Sequence, residues 1–201
     1  AMVALCGEGD HFNFIPSHNS IVDVDTNLVL GNGTVKPYYR KRMLSPLIWK
    51  FTSDAAMKND LAIMDFMAAN GWKRPFYYAV TVPPSSYTGL ENFFVLEGLA
   101  YRVSPIKIDK SPSGETGMVD TRVMYDNMMN KYKWGNADKK GVYLDENIRR
   151  IMIVFRRQFG RLSLALAAEG DNERVIAAAE KGLAIVPPEK MPYDYYSLDL
   201  A

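Results

Sequence analysis

The residues best suited to chemistry fall into two groups. The first is Arg74, Tyr77, Glu97, Tyr101 and Arg102, one acid, two cations and two phenols in a stretch that otherwise reads as strand. Carboxylates and guanidinium groups hydrogen-bond hydroxyls, and tyrosine rings offer apolar faces, so the set would suit a carbohydrate-binding cleft with Tyr77 or Tyr101 as a stacking platform. The same residue types make a structural ion pair, with Arg74 or Arg102 neutralising Glu97 where the chain enters a buried strand. The second group is the arginines of a long helical pattern, among them Arg150, Arg157 and Arg161, which would hold an anionic ligand or a lipid headgroup. Here the plainer reading is a solvated face with Glu146 paired to Arg150, plus packing on the preceding part.

Other motifs are weaker. Asp23-Val-Asp25 has the Asp-x-Asp form with which many nucleotide-sugar transferases hold a divalent metal, but no second ligand accompanies it and a solvated turn explains it as well. Ser85, Ser86 and Tyr87 follow a strand pattern without the Gly-x-Ser-x-Gly elbow of a hydrolase. His11 and His18 lie seven residues apart near the start with no motif that supports a general base, and Gly31-Asn-Gly33 lacks the Lys-Ser/Thr of a phosphate loop. Tyr38-Tyr-Arg-Lys-Arg42 is a small basic, aromatic cluster that could meet a membrane surface or a nucleic acid, with a solvated loop as the plainer reading. Asn32-Gly-Thr34 matches a glycosylation sequon, as an exposed turn would.

Composition narrows the classes. Of 201 residues, 24 are Lys or Arg and 23 Asp or Glu, a net charge of +1, so no global field recruits nucleic acid and no nucleic-acid partner is expected. The single Cys6 excludes an internal disulfide, and the Cys/His count is too low for a zinc cluster, so neither metal nor cofactor is expected. No apolar run approaches the length of a membrane span. The first and last ten residues have neither a signal-peptide pattern nor complete elements, which suggests a piece of a longer polypeptide.

Hydrophobic period supplies the framework. Phe12–Ile15, Ser20–Val24, Leu28–Leu30 and Leu47–Thr52 read as strands. Asp54 to Gly71 reads as an amphipathic helix capped by Asp54, and Phe76–Val82 as a strand covered on both faces. Gly89–Gly98 reads as a short helix and Leu99–Ile106 as a further strand, giving a small α/β layer with some parallel pairing. A Gly/Pro-rich stretch at 109–117 separates residues 1–110 from a helical region at 118–201. Helices are predicted at Asp120–Tyr132, Asp145–Ala168 and Asn172–Val186. In the second of these, Ile148, Ile151, Met152, Phe155, Phe159, Leu162 and Leu166 form a core stripe, while Ile153 and Leu164 interrupt the arginine arc and imply a second contact surface. The predicted class is therefore α+β or α/β, a small mixed sheet with flanking helices followed by an all-α hairpin.

Two resemblances add to this. Phe159, Leu162, Ser163 and Leu166, then Val175, Ala179, Gly182 and Pro187, resemble one tetratricopeptide repeat, with Ser163 and Val175 departing from its usual Gly and Ala. More broadly, Asn70–Ala79, Leu96–Arg102, Met124–Trp134 and Val142–Asn147 together resemble the soluble C-terminal region of large bacterial multi-pass membrane proteins. Those proteins carry a domain of unknown function related to protein O-mannosyltransferases of the GT-C type. The resemblance implies a non-catalytic accessory domain on the periplasmic face of the inner membrane, its transmembrane part lying N-terminal in the same polypeptide. It implies as partners an acceptor protein, another protein or that membrane part. The alternative is a stand-alone domain that binds or acts on a glycan in the α/β cleft.

Overall fold

The computed structural model describes residues 19–51 and 56–193. Strand β1 (Asn19–Val22) pairs antiparallel with β2 (Leu47–Lys50), Ile21 lying opposite Ile48. A second sheet has the order β3 (Phe76–Ala79), β5 (Ala100–Val103), β4 (Phe94–Leu96), β6 (Met118–Val119). Its first two pairings are antiparallel, and β4 with β6 is parallel. Helices α1 (Thr26–Gly31), α2 (Lys58–Asn70) and α3 (Thr121–Asp126) flank the sheets, and α4 (Glu146–Ala168) and α5 (Asn172–Ile185) form the C-terminal hairpin. The class is mixed α+β, small sheets with flanking helices and a terminal helical pair.

Several local expectations are corrected. Leu28–Leu30 lies in α1, because Asp25 caps that turn by accepting from the N–H groups of Asn27 (2.9 Å) and Leu28 (3.1 Å). Gly89–Gly98 is a single 3-10 turn, Leu90–Phe93, running directly into β4. Strand β3 stops at Ala79 and forms an edge of the sheet with Tyr77 and Ala79 exposed, so it is not covered on both faces. Pro75 and Pro83 flank it, residues that suit an edge. At α2 the start is held by Asp60, whose carboxylate accepts from the Met57 N–H (2.9 Å) and the Thr88 hydroxyl (3.1 Å). Gly71 ends that helix in the left-handed region at φ 49°. The Phe12–Ile15 strand, the Asp54 cap, Cys6, His11 and His18 fall outside the described residues.

Strand β5 divides the core by its period of two. On one face Tyr101 stacks on Phe94 at 5.1 Å, and Tyr78 and Tyr87 complete an aromatic cluster. Burial pushes the Tyr78 phenol up to about 12. Arg102 faces the other way, with Val95 and Tyr77 beside it in register. Helix α4 buries Phe159, Leu162 and Leu166, and Gly182 of α5 approaches so closely that a Cβ there would lie 2.8 Å from Phe159. Trp134 bridges Phe155 and Phe159 at 5.1 and 5.4 Å. The stripe does not stay buried along its whole length: Ile148 and Ile151 are 37% and 53% exposed.

Candidate functional site

The polar face of β5 holds the densest set of ionisable groups. Arg102 has no solvent exposure. Its Nη1 lies 2.9 Å from Glu97 Oε1 and donates to the Gly33 carbonyl at 3.0 Å, and its Nη2 lies 3.9 Å from Asp120 Oδ2. The Tyr38 hydroxyl donates to the same Asp120 oxygen at 2.7 Å, while Asp120 Oδ1 caps α3 by accepting from Val123 N–H. One guanidinium thus stands between two buried carboxylates, and its partners come from residues 33 to 120.

Local structure fixes Glu97. Its carbonyl accepts from Asn127 Nδ2 at 2.8 Å, from the π-helical turn Asn127–Lys131. Gly98 follows at φ 126°, with a Cβ there 2.7 Å from the Tyr132 hydroxyl, so only glycine fits. Burial pushes the Glu97 carboxyl above its ordinary value, against the pull of Arg102 and Lys36. Tyr77, 45% exposed, lies opposite Arg102 in the β3–β5 register, and burial together with the nearby Glu97 carboxylate raises its phenol. Burial and the Asp120 contact also raise the Tyr38 phenol. The half-exposed Tyr77 phenol beside the Glu97–Arg102 pair can exchange hydrogen bonds with a hydroxylated ligand.

The structure brings Tyr77, Glu97 and Arg102 together and sends Tyr101 elsewhere. Arg161, buried, donates to the Tyr101 hydroxyl (2.8 Å) and to the Thr116 carbonyl (2.6 Å), and pairs with Glu115 at 3.2 Å. Arg157 pairs with the same Glu115 at 2.9 Å, so the 109–117 stretch lies against α4. Arg156 is buried and donates to the carbonyls of Val186, Met191 and Pro192. Arg150 pairs with Glu146 on the surface. Arg74 is exposed, with its backbone N–H on Asn70 Oδ1, and Glu97 takes Arg102 in its place.

Sequence reasoning missed Asp120 as a member of the site, although its helix-cap position was legible, and missed that Tyr38 belongs to it. The minor motifs resolve simply. Asp25 is a cap, and the described residues contain no group of three or more His, Cys, Asp or Glu able to hold a metal. The Asn32 amide donates to the Trp72 carbonyl at 2.6 Å and accepts from Thr34 N–H, with Thr34 fully buried, so the sequon is a folded turn.

Residues 2–123, more than half of the 201-residue chain, match the model of TMEM260-associated domain 2. The chain belongs to that family. No curated protein and no solved structure matches it. The match includes Tyr77, Glu97, Tyr101, Arg102 and Asp120, so the buried cluster lies inside the TMEM260-associated domain, and α4 and α5 lie beyond the matched residues. Among the described residues no helix is long and apolar enough to cross a membrane.

Proposed function

We propose that this chain is a non-catalytic accessory and interaction domain of a membrane protein related to GT-C glycosyltransferases. It docks a protein segment on the outer half of α4. The observation that carries the reading is a groove of about 310 Å3 lined by Val80, Thr81, Leu99, Ile151, Val154 and Phe155, with Arg150 at its rim. An apolar groove next to a half-exposed Ile151 is the usual form of a protein-docking surface. Arg150 beside it is already paired with Glu146, so the groove favours an occupant with an apolar anchor. Helix α4, which forms one wall, belongs to a helical pair read as a tetratricopeptide-like unit, a type that exposes one face for protein segments. The occupant is an acceptor protein, a partner subunit or the membrane part of the same polypeptide, and the domain sits on the periplasmic side of a bacterial inner membrane.

The test is photo-crosslinking from position 151 of the chain in its native cells. Adducts to one protein segment, absent when the crosslinker is moved to Lys140, support the reading, and adducts to lipid or glycan alone overturn it. The rival, a glycan-binding cleft, draws on the half-exposed Tyr77 beside Glu97. It requires saturable heat on titration with a sugar panel, lost in Glu97→Gln with the fold retained.

A further inference from the structure

The chain's cations are not spread evenly. The 3-10 helix Pro37–Arg42 has no buried residue, and Arg40 and Lys41 on it are exposed. The backbone brings a second basic segment beside it. Lys107 N–H donates to the Arg42 carbonyl at 2.8 Å, Leu44 N–H donates to the Pro105 carbonyl, and Met43 bridges Ile106 antiparallel, so exposed Lys107 and Lys110 adjoin the turn. A third segment arrives through Arg122, exposed at the start of α3, whose guanidinium lies 4.8 Å over the Tyr38 ring.

Six cations from three segments therefore share one side of a protein whose net charge is +1. The nearby acids offset little of this. Asp109 pairs with Arg42 at 2.7 Å. Asp120 is turned inward to Arg102 and Tyr38, Glu169 accepts from the Thr121 hydroxyl, and Asp126 pairs with Lys131. Beside Arg42 and Lys110 opens a cleft of about 270 Å3 of mixed lining, with Met118, Val119 and Ala165 on the apolar side and Asp109 and Glu169 among the polar groups.

We infer that this face is an electrostatic contact for an anionic membrane surface, holding the domain against phospholipid headgroups. Long, exposed cations from several segments suit a diffuse field of headgroups better than a single enclosed phosphate. Membrane is favoured over nucleic acid because both rings of this turn are engaged within the protein, Tyr38 under the Arg122 guanidinium and Tyr39 half-buried edge-on to Tyr38. This surface is separate from the α4 groove and stands whether or not that groove binds a protein.

Flotation of the chain with phosphatidylcholine vesicles, with and without phosphatidylserine, tests it. Binding should require phosphatidylserine and weaken as salt shortens the Debye length below about 8 Å. Arg40→Ser with Lys41→Ser, and Lys107→Ser with Lys110→Ser, should each lower it by roughly fivefold per cation removed, with thermal unfolding unchanged. Absence of binding at low salt overturns the inference. So does binding untouched by both pairs, or tighter binding to an oligonucleotide of equal charge density. Loss on Ile151→Asp but not on the serine pairs would assign the membrane contact to the groove and overturn it equally.

Discussion

Arg161 donates to the Tyr101 hydroxyl at 2.8 Å and its guanidinium carbon lies 5.7 Å from the centre of the same ring, joining helix α4 to the strand at the centre of the family domain. The other ends of the guanidinium hold Thr116 and Glu115. Arg161→Ala should therefore cost about 3 kcal/mol or more, because it strands several buried acceptors at once. Arg161→Lys should rescue little, since a single ammonium cannot span the fork. Tyr101→Phe should cost only about 1 kcal/mol. Urea unfolding of the three variants measures the order.

Glu97 gives a pH signature. Its folded value is raised above the ordinary 4.5 by burial, so within that window the native state binds more protons than the unfolded chain. The stability it contributes is greatest below 4.5 and declines as pH rises towards the folded value. Glu97→Gln removes this slope, and the gap between native chain and variant should narrow with rising pH. Asp171 has the opposite sign. The Arg174 backbone N–H and side chain hold it below 3.8, so its contribution is present above that value and lost as pH falls. Denaturant midpoints between pH 3 and 8, roughly the span over which carboxylates and histidines titrate, distinguish the two.

Gly182 is a packing position. A Cβ would sit 2.8 Å from the Phe159 Cβ and 2.9 Å from its Cγ, so Gly182→Ala must push α5 off α4. Overpacking of this kind costs about 1–3 kcal/mol. Differential scanning calorimetry should show a lower Tm.

Asn32 tests the sequon. Asn32→Asp replaces the donor to the Trp72 carbonyl by an acceptor, setting two oxygens against each other about the observed 2.6 Å contact. A loss of about 1–3 kcal/mol is expected. Asn32→Asp as stable as the native chain would mean that this hydrogen bond contributes nothing.

Long helices and their caps were legible because period and cap lie close together in sequence. Asp145, Asp171 and Asp120 each accept the backbone N–H three residues on. What was not legible depended on distant partners. Leu28-Val-Leu30 has strand-forming residues, and only the Asp25 cap and the packing of Val29 turn it into helix. Strand β6 has two residues and exists through β4. Glu97 was recognisable as one half of an ion pair, with its counter-ion left between Arg74 and Arg102 until the fold brought Arg102 to it. Asp120 and Tyr38 reach Arg102 only through the fold, and Arg156 and Arg161 are buried because carbonyls 30 to 45 residues away receive them, a pattern with no signature in side-chain type.

Neighbours in sequence on β5, Tyr101 and Arg102 face opposite sides of the sheet, one among rings and the other between carboxylates. A slip of one residue against β3 or β4 would drive a full positive charge into the aromatic layer and leave Glu97 and Asp120 facing each other without a counter-ion. Mispaired folding intermediates are thus rejected electrostatically as well as by shape, and the strand carries its own proofreading.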